Sequence, residues 1–138
     1  MDSKELILKG VYVIFAELVD TGYGKSITID ATDADTQKAI EEWVSANSIN
    51  GGKAKFKDYI NKDGVTTKQY SFKISDYTDF KFKSADVEDA GLGYGAKINL
   101  VARAFEYNNK FGSGTSASLS AVYVIDGATN NAMNKIAE

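Results

Sequence analysis

The segment from Gly93 to Ile125 constrains the fold most, because it reads as two long β-strands joined by a glycine-rich turn. Its first arm alternates in character at a period of two, which is the pattern of a strand with one buried face. The predicted buried face consists of Ala96, Ile98, Leu100, Ala102 and Ala104. The opposite face carries cations, rings and an amide, on Lys97, Asn99, Val101, Arg103, Phe105 and Tyr107. A row of cations and rings that a core does not need suits a nucleic-acid strand.

The chain before this segment predicts a β-hairpin followed by a helix. An apolar run over Leu6–Val19 predicts a strand with both faces at least partly covered, and Lys25–Ala31 returns antiparallel to it. Over Thr32–Asn47 the spacing of apolar residues predicts a helix that Asp33 or Asp35 caps. Its apolar stripe includes Trp43, which we therefore assign to the core rather than to ligand stacking.

A basic block follows the helix, with eight lysines and four aspartates between Lys53 and Lys83, inside a chain of net charge −3. Three short strand segments are predicted here, with lysines outward and apolar residues inward, the latter being Ala54, Phe56, Ile60, Tyr70, Phe72, Ile74, Phe80 and Phe82. The block is either an electrostatic footprint for nucleic acid or a set of lysines that protects strand edges. Ser84–Leu92 predicts a loop or a short helical turn, and a polar tail follows Ile125.

Enzymatic chemistry is disfavoured because the chain has no histidine and no cysteine, which removes the commonest general base and most transition-metal ligands. The cluster of Asp30, Asp33 and Asp35 is better explained by helix capping than by a metal site. We expect no enzyme activity, cofactor or metal. No apolar run is long enough to span a bilayer and no signal segment is visible, so we expect a cytoplasmic protein with no membrane partner.

The same central segment carries a family resemblance. A glycine-opened strand ending in Phe-Glu-Tyr-Asn-Asn, the turn Lys-Phe-Gly-Ser-Gly and the return strand Leu-Ser-Ala-Val-Tyr-Val-Ile resemble the C-terminal hairpin of bacteriophage single-stranded DNA-binding proteins of the OB-fold type. The likeness extends over roughly Val11 to Ile125. It implies a mainly β fold with one α-helix, in a five-stranded antiparallel OB-fold-like barrel with an extended C-terminal hairpin, although the pattern alone also allows a β-sandwich. We expect residues 1–125 to form the nucleic-acid-binding domain and residues 126–138 a tail.

The resemblance implies sequence-tolerant binding that coats and protects single-stranded DNA in phage replication or recombination. Its partners would be single-stranded DNA and possible replication or recombination proteins, in the host cytoplasm, with a homo-oligomer, favoured as a dimer. The candidates for phosphate contact are Lys55, Lys57, Lys73, Lys81, Lys97 and Arg103. The candidates for base stacking are Tyr59, Tyr94, Phe105, Tyr107 and Phe111. One alternative is a phage structural or assembly module without nucleic-acid binding, and another is RNA binding in the same groove.

Overall fold

Six β-strands and two α-helices make up the computed structural model, which describes residues 4–18, 24–60, 63–110 and 112–128. The elements in chain order are β1 (Glu5–Glu17), β2 (Lys25–Asp30), α1 (Ala34–Ala46), a 3₁₀ turn (Ile49–Gly52), β3 (Lys57–Ile60), β4 (Thr66–Phe82), α2 (Ala85–Ala90), β5 (Lys97–Asn109) and β6 (Gly112–Asp126).

Five of the strands pair in a closed ring. Strand β1 pairs with β2 and β5, β2 pairs with β4, β4 pairs with β6, and β6 pairs with β5. The short β3 pairs with β4 outside this ring. The β4–β6 pairing is parallel and the other pairings are antiparallel. The sequence predicted five strands, all antiparallel; the sheet contains six described strands, five of them in the ring, and one pairing in the ring is parallel. A ring with an odd number of strands cannot alternate direction throughout, so at least one pairing must be parallel.

The core lies inside the ring. The residues predicted to be buried are Ala96, just before β5, and Ile98, Leu100, Ala102 and Ala104 on β5, and each is at most 2% exposed. They pack with Ile27 and Ile29 of β2 and with Val122 and Val124 of β6. Burial of these aliphatic side chains supplies the main driving force for folding, at about 25 cal/mol for each Å² of apolar surface removed from water.

Helix α1 adds its apolar stripe to this core, as predicted. Ile40, Trp43 and Val44 are buried, and the Trp43 indole Nε1 donates to the Lys4 carbonyl oxygen at 3.0 Å. Asp33 caps the helix, because its carboxylate accepts from the Thr36 backbone N–H at 3.0 Å. Capping by Asp33 was one of the two sequence predictions and is confirmed.

Four predictions about burial and helices are corrected. The outward face of β1 was predicted to be partly covered but is not, since Ile7 is 51% and Tyr12 52% exposed. The apolar stripe of α1 packs on the core inside the ring instead. Strand β3 begins only at Lys57, and Ile60 near its end is 67% exposed rather than inward. Phe80 is also exposed, although its register neighbour Val122 is buried. Residues 85–90 form a second helix, which Ser84 caps by accepting from the Val87 N–H.

Candidate nucleic-acid interface

The outward-pointing residues of β1, β5, β6 and β4 form one continuous surface, which we call the outer face. Register places Tyr12 beside Lys97, and two residues further along β5 it aligns Asn99, Tyr123 and Lys81 across three strands. The next rows are Ile7, Val101, Ala121 and Asp79, and then Glu5, Arg103 and Ser118. Since neighbouring strands lie about 4.8 Å apart, each row spans roughly 10 to 15 Å.

A β-bulge in β1 sets which side chains reach this face. Lys9 and Gly10 lie opposite the single residue Asn99, and the Gly10 N–H donates to the Asn99 Oδ1 at 2.8 Å. Gly10 has a φ of +69°, a conformation that side-chain-bearing residues rarely adopt. The extra residue shifts the alternation, so Leu8 before it and Val11 after it both point inward. Tyr12 consequently points outward.

The cations of the outer face differ in their surroundings. The Lys97 Nζ lies 5.9 Å from the centroid of the Tyr12 ring, within the range of a cation–π contact. Arg103 pairs with Glu5 at 3.3 Å. Among the residues that the structure describes, Lys81 and Lys97 form no ion pair. Lys81 is exposed and Lys97 partly exposed, so both can pair with an external anion, whereas the Arg103 charge is already partly compensated by Glu5.

A shallow groove of about 350 Å³ crosses the middle of the outer face. Its walls are mainly apolar, with polar groups at intervals, and its lining residues are Ile7, Lys9, Asp79, Lys81, Asn99, Leu100, Val101, Ala121, Val122 and Tyr123. An exposed ring and two lysines beside apolar walls can accommodate a stacked base with its phosphate nearby. Among the described residues that line the groove, Asp79 alone is acidic, and its charge disfavours a phosphate at its own position.

The distal half of β5 continues the outer row with two of the predicted rings. Phe105 is exposed and lines a depression with Lys4, Asn47 and Ser48. Tyr107 lies across the strand pair over Gly114, since a Cβ built on Gly114 would lie 2.8 Å from the Tyr107 Oη. The glycine thus leaves room for the ring, which remains exposed.

The structure does not gather all the predicted residues on this face. Lys57 and Tyr59 lie on β3 and Lys55 precedes it, and β3 pairs with β4 near Gln69, far along the strand from Lys81. Lys73 is exposed on β4 beside β2, and Tyr94 is exposed in the turn before β5. The predicted stacking residue Phe111 lies outside the described residues.

The outer face also contains residues that the sequence analysis did not select, namely Tyr12, Tyr123 and Lys9. Tyr12 and Tyr123 each occur between two valines, in Val11–Val13 and Val122–Val124, and this alternation is the signal that would have found them. Tyr12 was overlooked because the bulge at Gly10 interrupts the period of two within a run that reads as apolar throughout.

The described residues were also searched for a metal-binding cluster and for a membrane-spanning helix. The described residues contain no cluster of three or more histidine, cysteine, aspartate or glutamate side chains placed to bind a metal ion. Across residues 4–18, 24–60, 63–110 and 112–128, neither α1 nor α2 has the length and apolar character needed to cross a membrane.

The comparisons with known proteins give one consistent result. No protein-family model matches the chain, and neither does any curated protein. Among solved structures, it is similar to the single-stranded DNA-binding protein of bacteriophage Enc34 in complex with single-stranded DNA, with a TM-score of 0.61 and 19% identity over 91% of this chain and 88% of that one. A second structure of the Enc34 single-stranded DNA-binding protein is similar with a TM-score of 0.57 and 21% identity, over 99% of this chain and 92% of that one. The single-stranded DNA-binding protein gp2.5 of bacteriophage T7 is similar with a TM-score of 0.50 and 16% identity over 98% and 94%. The predicted resemblance is therefore confirmed at the level of the fold: this chain has the fold of phage single-stranded DNA-binding proteins.

Proposed function

We propose that this protein binds single-stranded DNA with little regard to sequence, and that it coats unwound DNA during phage replication or recombination. The observation that carries the proposal is the fold shared over nine-tenths of the chain with phage single-stranded DNA-binding proteins, one of them solved with single-stranded DNA. We further infer that the ring of β1, β2, β4, β6 and β5 is an OB-type barrel.

The outer face supplies the chemistry that such binding needs. Lysines bind phosphates and release counterions, and exposed rings stack on unpaired bases without reading their identity. In this proposal Lys81, Lys97 and Lys9 contact phosphates and Tyr123 stacks on a base. Phe105 and Tyr107 extend the path along β5 toward the β5–β6 turn.

A second path is possible, because OB-fold proteins commonly bind oligonucleotides on their second and third strands. These correspond to β2 and β4, where Lys73 is exposed. On β2 the residues that alternate with the buried Ile27 and Ile29 are Ser26, Thr28 and Asp30; Thr28 is itself buried, and none of the three provides a cation or a ring. We therefore place the main contact on the outer face, and assign Lys73, Lys55, Lys57 and Tyr59 to peripheral contacts at most.

The test is fluorescence anisotropy of a labelled thymidine oligomer of about thirty nucleotides, long enough for two or more OB-fold sites. Protein is titrated at several salt concentrations, and the titration is repeated with duplex DNA and with the RNA oligomer of the same sequence. We expect binding to the DNA single strand that weakens as salt rises, and much weaker binding to the duplex. No binding at low salt would exclude the function, and tighter binding to the RNA would favour an RNA partner.

The rival function is a phage structural or assembly module without nucleic-acid binding. The exposed rings of the outer face would then form a subunit interface. Light scattering with and without the thymidine oligomer separates the two, since the rival predicts an assembly that forms regardless of DNA. The proposal expects a small oligomer, favoured as a dimer, and an increase in mass when DNA is added. It also places the protein in the host cytoplasm among other replication proteins, and assigns DNA binding to residues 1–125.

A further inference from the structure

The side chain of Asn99 is held in one orientation by the bulge. A backbone N–H can only donate, so the Gly10 N–H fixes the carbonyl oxygen of the Asn99 amide toward β1 at 2.8 Å. The two N–H donors of the Asn99 Nδ2 must then point away from Gly10. Their direction follows from the hydrogen bond itself.

These donors are accessible from the groove. Within the described ranges the Asn99 Nδ2 has no hydrogen-bond partner. No described side-chain nitrogen or oxygen is both buried and unpaired, so this group is in contact with solvent. Asn99 lines the groove together with Tyr123 and Lys81, and Tyr123 is its neighbour on β6. A fixed pair of donors therefore lies next to the exposed Tyr123 ring, and Lys81 lies on the far side of that ring in the same row.

We propose that Asn99 and Tyr123 form a subsite for one nucleobase, in which Tyr123 stacks on the base while Asn99 donates to a base carbonyl oxygen. This inference rests on the proposed DNA-binding function and adds a base preference to it. Thymine, cytosine and guanine each present a carbonyl oxygen, and adenine presents none. The usual pairing of asparagine with adenine requires the amide oxygen to accept from the adenine N6 amino group. That oxygen is already occupied by Gly10. Adenine keeps only its ring nitrogens as acceptors and cannot form the two-bond pairing here, so we expect the subsite to prefer bases with a carbonyl oxygen over adenine.

The test compares thymidine, deoxycytidine and deoxyadenosine oligomers of about twelve nucleotides, within the site size of one OB fold. The variant Asn99→Asp keeps an acceptor for the Gly10 N–H and removes both donors. The control Asn108→Asp makes the same chemical change on the same strand, at a position outside the groove. The added negative charge weakens binding to all oligomers alike, so the informative quantity is the ratio of affinities for thymidine and deoxyadenosine.

We expect wild-type protein to prefer thymidine and deoxycytidine over deoxyadenosine, and Asn99→Asp to reduce the thymidine-to-deoxyadenosine ratio by about three- to tenfold, the worth of one hydrogen bond. Asn108→Asp should leave the ratio unchanged. Self-stacking of the deoxyadenosine oligomer also lowers its affinity, but equally for all variants. A ratio that Asn99→Asp does not change would overturn the subsite while leaving the DNA-binding function intact. If no oligomer bound at low salt, the function itself would fail.

A second measurement needs no variant. An oligomer in which thymine is replaced by its non-hydrogen-bonding shape analogue, 2,4-difluorotoluene, keeps the stacking surface and loses the carbonyl oxygens. Wild-type protein should bind it about three- to tenfold more weakly than thymidine. Equal or tighter binding of the analogue would contradict the role of Asn99, even if the variant failed to fold.

Discussion

Removing two lysines from the outer face should change the salt dependence of DNA binding by a calculable amount. Lys81 and Lys97 lie on β4 and β5, on the two sides of β6, and neither forms an ion pair with a described residue. Each phosphate contact on a single strand contributes about −0.7 to the slope of log K against log salt. The double variant Lys81→Ala/Lys97→Ala should therefore make that slope less negative by about 1.4. Taken from a common affinity at 1 M salt, this slope difference corresponds to an affinity loss of about 25-fold at 0.1 M salt.

The assay is anisotropy with a thymidine oligomer over a series of salt concentrations. The control Lys38→Ala/Lys53→Ala changes the net charge by the same amount, at two exposed lysines that lie outside the outer face. We expect the control to alter the affinity slightly and the slope hardly at all, because a lysine that contacts no phosphate releases no counterion. Equal effects of the two double variants would show that only overall charge matters, and the outer face would then be the wrong surface.

Three further changes test the stacking, the bulge and the core. Tyr123→Leu should weaken single-stranded DNA binding by about 1 to 3 kcal/mol without changing the salt slope, since a ring and not a charge is lost; an altered slope would contradict stacking. Gly10→Ala should lower the free energy of unfolding in urea by about 1 to 2 kcal/mol, because a side chain is strained at its φ of +69°. A steric clash adds little, since the new Cβ would meet only the flexible Lys97 Cε at 3.4 Å. An unchanged unfolding midpoint would refute the strain. Burial raises the pKa of Tyr70 above its usual 10.0. The unfolded chain therefore loses this proton first, and stability falls as the pH rises above about 10. Tyr70→Phe should reduce that fall relative to wild type in urea titrations between pH 8 and about 11, and parallel pH profiles would show that Tyr70 plays no part.

The sequence predicted those parts of the fold in which local pattern and tertiary packing agree. The alternation on β5 identified its buried face correctly, and the spacing of Ile40 and Val44 identified α1. The prediction failed for β1, where the bulge at Gly10 joins two half-strands of opposite alternation and makes them resemble one fully covered strand. It also failed at Ile60, because an apolar residue at the end of a four-residue strand can remain on the surface when no element packs over it.

The candidate site was predicted in part. Lys97, Arg103, Phe105 and Tyr107 follow from the alternation of a single strand, and the structure places them on one side of β5. Tyr123 and Lys81 join Asn99 only through the register of β5 with β6 and of β6 with β4. Register between strands distant in the chain depends on the closed ring and cannot be read from the period of any one strand.

The position of β6 in the ring has a consequence for how the protein is made. This strand follows all the other described strands in sequence, and it pairs with β5 along one edge and with β4 along the other. The pairing of Ile74 with Leu119 joins residues far apart in sequence, and contacts of that kind are slow to form. While the chain is being synthesised, β4 and β5 therefore both expose unpaired edges until residues 112–126 have left the ribosome. Open edges are sites of association between chains. A nascent chain or a product truncated before β6 should therefore aggregate, and a chain that includes β6 should stop doing so once β6 closes the ring.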